Sequence, residues 1–208
     1  MWRSNLNRLI RVYFRERFFL LALVVILFLM GTIFGALAVG VLDPTQKQNL
    51  AGFVTESLHG DINLQNGPYT RQTIIANIQT VFFLFFMGIS VVGVPLALLL
   101  IFTRGFIIGF SICFLSQTMG FKGWILTIAG IIPHNALIIP ALLLMVIAMI
   151  DCAAALTKIR FTKSNYSIGG ELVKSVVLTL IVLAMMIIAG VVQGYLTPLI
   201  TSWLARVL

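Results

Sequence analysis

GISVVGVPLALLLIFTRGFIIGFS, residues 88–111, is apolar on both sides of a single arginine, and the reading of that arginine decides how often the chain crosses a membrane. A helix needs roughly 17 to 25 apolar residues to cover about 30 Å of hydrocarbon. Arg104 divides one long uncharged stretch into two of that order, so it is expected in a turn, with one span over 74–102 and the next over 105–121. Gly88, Gly93 and Pro95 then fall inside the earlier span. Proline removes a main-chain donor and crowds the preceding turn, which predicts a kink there.

Three further uncharged runs lie at 18–42, 124–150 and 175–201. The chain of 208 residues is 60% hydrophobic and 10% charged, with a mean hydropathy of +1.09. A soluble domain is nearer one quarter charged. The expectation is an all-α polytopic membrane protein, a bundle of about five transmembrane helices forming one integral membrane domain. A membrane β-barrel is excluded because the apolar runs do not alternate with polar residues.

Orientation follows from the basic residues. With a cytoplasmic N-terminus, Arg3, Arg8, Arg11, Arg15, Arg17, Arg104, Lys158, Arg160, Lys163 and Lys174 fall inside, and Lys47, Arg71, Lys122 and Arg206 outside. That is a positive-inside bias of ten to four, with the C-terminus external. The net charge of +8 is matched by anionic lipid and calls for no nucleic acid. Ala36, Leu37 and Ala38 form an A-x-A pattern, but the apolar run before them is too long for a signal peptide and predicts an uncleaved helix. Cys113, inside a span, and Cys152, at a cytoplasmic end, are expected not to pair.

Outside the spans, residues 1–17 place Leu6, Leu9, Ile10, Tyr13 and Phe14 at helical spacing among arginines, which predicts a basic helix in the head-group layer. Residues 43–73 form the one sizeable external segment. Asp43 and Pro44 suit a helix start, and Leu50, Phe53, Val54 and Leu58 share a face, so a short amphipathic helix is expected there as a surface for a partner. NGPYT, residues 66–70, reads as a turn, and 151–174 as a short basic cytoplasmic loop.

The spans contain three G-x-x-x-G pairs, Gly31 with Gly35, Gly105 with Gly109 and Gly190 with Gly194. Glycine at that spacing lets helix backbones approach closely. Together with Gly88 these are the expected packing or partner-contact positions, with one face left for a second copy of the chain. Residues 130–140, GIIPHNALIIP, put His134 and Asn135 between Pro133 and Pro140 near the middle of the fourth span. Each proline frees a carbonyl, of Ala129 and of Ala136, and at that depth a donor must come from the protein or from water. A broken helix is expected, with His134 and Asn135 as local donors.

No catalytic set accompanies the histidine. Positions 134–138 read H-N-A-L-I, not the H-E-x-x-H of a zinc protease. Ser90 and Ser111 have no activating context, and no acid lies inside a span. The protein is therefore expected not to be an enzyme and to hold no metal or cofactor. A permease subunit using the break from Pro133 to Pro140 as a midplane site is the alternative.

GTIFGALAVGVL (31–42) followed by QKQNL, then GISVVGVPLALLLIFTRGFIIGFS, MGFKG and IPHNALIIPAL (132–142) resemble the stage II sporulation protein M family in order and spacing. The resemblance covers the first four spans by motif and the fifth by position. Wider members of that family have glycine where this chain has Asn135 and glutamate where it has Ile138, so the chain resembles the sporulation branch. The resemblance implies a subunit of the engulfment complex that acts at the septal membrane with stage II sporulation proteins D and P, which degrade peptidoglycan.

Overall fold

The computed structural model describes residues 18–59, 66–88, 90, 92–162, 168–196 and 199. The basic helix expected over 1–17 and the side chain of Leu58 lie outside the described residues. All regular structure among the described residues is helical. In chain order it comprises α1 (Phe18–Val41), α2 (Pro44–His59), α3 (Asn66–Gly88), α4 (Gly93–Met119), α5 (Phe121–Leu126), a π turn (Thr127–Ile131), α6 (Ile132–Thr162), α7 (Ile168–Val191) and a second π turn (Val192–Leu196).

Among the described residues four stretches are long and apolar enough to cross a membrane: Phe18–Val41, Gly93–Met119, Phe121–Ala154 and Val173–Tyr195. The protein is a polytopic all-α membrane protein. α3 carries Arg71, Gln72, Asn77, Gln79 and Thr80 and is less apolar than these four. It nevertheless packs among them, against α6, α7 and α4. Of the four apolar stretches, the one containing α6 is central: 56% of it is buried, against 17% to 22% in the others. Ile138, Ala141, Leu142, Met145, Val146 and Met149 supply the heart of the core, with Val81 and Leu84 from α3, Ala97 and Ile101 from α4, and Val182 and Met186 from α7. The large apolar residues left exposed, such as Phe19, Leu37, Phe86 and Ile181, face where lipid would lie.

The break after Gly88 corrects the expected division of the second and third spans. The chain does not kink at Pro95 and turn at Arg104. It leaves the helix at Gly88 and turns through Ser90, whose N–H donates to the Met87 carbonyl at 3.1 Å. The Gly93 N–H donates to the Ser90 carbonyl at 3.0 Å, and from there one 27-residue helix runs through Arg104. Pro95 sits in the first turn of α4, where a missing N–H costs no helical bond. A Cβ on Gly93 would fall on the Met87 carbonyl, so the tight turn requires glycine. Arginine itself favours helix, and nothing around position 104 breaks one. Without Arg104 the basic balance becomes nine against four, which keeps its sign.

Two other expectations are corrected. Residues 66–70 open α3 rather than forming a turn, with Pro68 in the first helical turn. The loop expected over 151–174 is mostly helix, since α6 continues to Thr162 and α7 starts at Ile168. At its other end α4 meets α5 through Gly120, whose φ of 56° is left-handed, and through Gly123, where a Cβ would strike the Leu115 carbonyl.

α2 forms where the amphipathic helix is expected. Gln46 accepts from the Asp43 N–H at 3.2 Å and the Lys47 N–H reaches the Asp43 carbonyl at 3.0 Å, half of a reciprocal capping arrangement. α2 makes little contact with the rest of the described chain. Phe53 is exposed, and Leu50 and Val54 are half-buried.

Candidate functional site at mid-bundle

The glycine pairs determine which helices meet and in which direction. A Cβ on Gly31 would fall on the Phe102 carbonyl and one on Gly35 on that of Phe106. Reciprocally, Gly105 lies over the Phe28 carbonyl and Gly109 over that of Thr32. Position numbers rise together on both helices, so α1 and α4 run parallel, and their two G-x-x-x-G motifs are filled by one another. Gly190 faces Ile74, 2.8 Å from a Cβ placed there, and Gly194 faces Thr70, which sets α7 antiparallel to α3. A Cβ on Gly88 would come 2.7 Å from Cγ of Met149 on α6. All seven expected glycine positions thus pack within this chain.

This arrangement places Arg104 at depth. It lies about 16 Å from the Gly93 end of α4 and about 22 Å from the other end at 1.5 Å per residue. It opens onto a cavity of about 340 Å³ between α3, α4, α6 and α7. Asn77 and Thr80 form the α3 wall, Thr103 and Arg104 the α4 wall, and Ile138, Leu142 and Met186 the floor. Leu96, Leu99 and Ile107 also line it and are exposed, so the cavity is a groove open sideways.

The polar groups in the groove have distinct states. The Asn77 amide donates to the Met186 carbonyl at 3.1 Å and ties α3 to α7. The Thr80 and Thr103 hydroxyls donate back to the carbonyls of Ala76 and Leu99, at 2.9 and 2.8 Å, which leaves their oxygens able to accept. Nε of Arg104 is buried without a hydrogen-bond partner among the described residues. No Asp or Glu occurs between positions 66 and 150.

Beside the groove lies the segment with the histidine. The helix does not break from Pro133 to Pro140, as expected from the sequence. The ladder shifts register just before Pro133, in the π turn, where the Ile132 N–H reaches the Thr127 carbonyl, next to the N–H that Pro133 lacks. Pro140 then sits on an exposed side of α6 without ending it. His134 and Asn135 are both buried. Nδ2 of Asn135 donates to the Ile131 carbonyl at 2.8 Å and lies 3.0 Å from Nε2 of His134. Asn135 thus supports a carbonyl of the turn preceding it, one different from the two expected. Because that amide nitrogen is a donor, Nε2 accepts, and a neutral ring then carries its proton on Nδ1. Oδ1 of Asn135 and Oγ1 of Thr127 are buried without partners among the described residues, and the His134 ring lies within reach of the Gly130 main chain.

Among the described residues no group of three His, Cys, Asp or Glu could hold a metal ion. Cys113 and Cys152 are not in a disulfide. Sequence reasoning missed Arg104, Asn77 and Thr127 as interior polar residues.

The family model for Stage II sporulation protein M matches residues 24–198, from the first turns of α1 past the second π turn. The chain belongs to that family. The match includes both walls of the groove, the π turn and α7, and it makes the protein a sporulation-related integral membrane protein. Searches of curated proteins and of solved structures give no match.

Proposed function

We propose that this protein is a non-enzymatic membrane scaffold of the sporulation engulfment complex, which recruits peptidoglycan hydrolases, stage II sporulation proteins D and P, to the septal membrane. The observation that carries this reading is the family match over 24–198. Two features of the chain are in keeping with it. α2 stands off the bundle with Phe53 exposed, a surface that the external part of a partner would meet. The positive-inside bias of the sequence is in keeping with a cytoplasmic N-terminus, an orientation in which α2 and the C-terminus would be outside. The chain needs no cofactor for this role. Lipid covers its outer apolar surface, and a second copy would have to use a face other than the glycine pairs.

The test is recovery of the two hydrolases with the full tagged chain from sporulating cells, together with turnover by the purified chain alone. Recovery of both and no turnover are expected. Absence of both from a folded, membrane-inserted chain would overturn the reading.

A permease subunit is the second reading, favoured by the unpaired buried oxygens of Thr127 and Asn135, which a polar solute would satisfy. Solute flux in vesicles containing the chain alone would support it against the scaffold.

A further inference from the structure

The groove between α3 and α4 holds a cation, and among the described residues that line it there is no acid to pair with it. In the sequence no acid occurs between positions 66 and 150, and of the six acidic residues the described ones, Asp43, Glu56 and Asp151, do not line the groove. Asp151, at the far end of the apolar run of α6, is nine positions along that helix from Leu142 in the groove floor, about 14 Å away. A second copy brings the same acid-free stretch from 66 to 150.

We infer that the groove is the docking site for one transmembrane helix of a partner protein, a helix carrying an aspartate or glutamate at mid-membrane that pairs with Arg104. An ionised side chain inside a span pairs with another group or faces a polar cavity, and arginine offers a carboxylate two parallel donors. The surroundings suit a helix. Thr80 and Thr103 are short and border the arginine, which permits close backbone approach, and Leu99 is exposed at the mouth where an apolar helix would lie. A phospholipid offers an anion too, but its phosphate belongs to the interface, roughly 15 Å from the bilayer midplane. A carboxylate built into a helix arrives already at depth.

This inference rests on the scaffold reading, since it describes how a partner is held. The test uses the full chain, fluorescently labelled, in phosphatidylcholine vesicles. The probe is a leucine-alanine transmembrane peptide with one central glutamate, compared by energy transfer with the same peptide carrying glutamine. The glutamate peptide is expected to bind about ten-fold more tightly or better, the scale of a hydrogen-bonded charge pair. Arg104→Gln should remove the difference, and Arg104→Lys should keep part of it. Leu99→Trp, which fills the mouth and leaves the charge, should weaken binding of the glutamate peptide to a similar extent. It carries the test if Arg104→Gln fails to fold.

Equal binding of the two peptides by the wild-type chain, or undiminished binding by folded Leu99→Trp, would overturn the inference. So would displacement of the glutamate peptide by phosphatidylglycerol, because the groove would then be a lipid site. Hydrolase recovery that survives failure of the peptide experiment would leave the scaffold standing without this groove. Loss of recovery with peptide binding intact would do the reverse.

Discussion

Gly105 of α4 lies directly over the main-chain carbonyl of Phe28 in α1, with no room for a Cβ between them. The reciprocal contacts at Gly31, Gly35 and Gly109 repeat this closeness along two turns of both helices. Here glycine is required by backbone proximity, because a side chain at any of the four positions meets a carbonyl that belongs to the helix ladder and cannot move alone.

Gly105→Leu and Gly35→Leu are each expected to destabilise the bundle by about 3 kcal/mol, the upper range for overpacking a close-packed interface. Gly40→Leu should change little, since nothing lies within 4 Å of a Cβ there. Thermal unfolding of the purified chain in detergent checks both. Equal melting of all three variants would contradict the close approach.

The hydrogen bond from Asn77 to the Met186 carbonyl spans two helices in an apolar interior. Asn77→Leu is expected to lower stability by about 1 kcal/mol, the middle of the measured range for such bonds in membrane proteins. Denaturant titration of wild type and variant in the same lipid gives the difference.

His134 accepts from Asn135 through Nε2, and the amide of Asn135 also supports the Ile131 carbonyl. His134→Gln keeps an acceptor at that position and should sporulate normally. Asn135→Leu loses both contacts and is expected to cost about 1–2 kcal/mol. A sporulation defect confined to the histidine variant, with folding intact, would favour a solute site over a structural one.

The course of α4 makes a prediction that separates it from the simplest reading of the sequence. With Cys113 and Cys152 replaced by serine, Ser90→Cys should react with a membrane-impermeant maleimide from the cytoplasmic side and Phe121→Cys from the outside. Thr103→Cys should react from neither. A turn at Arg104 would instead make position 103 reactive from the cytoplasm.

Much of the fold was legible in the sequence. Long uncharged runs fix helices because every backbone group in lipid must be satisfied internally. Asp43 and Pro44 mark the start of α2, and the glycine pairs mark close packing. The sequence does not show which pair meets which, because that depends on helix directions. Arg104 was misread for a physical reason: charge usually marks a membrane boundary, and that rule outweighed the cluster of Gly88, Gly93 and Pro95, which is the stronger breaker. Once the turn is placed at 88–93, a helix of ordinary membrane length follows, and the arginine must lie inside it. The groove was hidden for the same reason. Asn77, Thr103 and Met186 are far apart in the chain and come together only when α3, α4 and α7 are packed.

The most direct test of the scaffold follows a fluorescently tagged hydrolase, stage II sporulation protein P, in sporulating cells with and without this chain. The account predicts that the hydrolase gathers at the septal membrane when the chain is present and spreads through the membrane when it is absent. A hydrolase that still gathers at the septum in cells lacking the chain would contradict it.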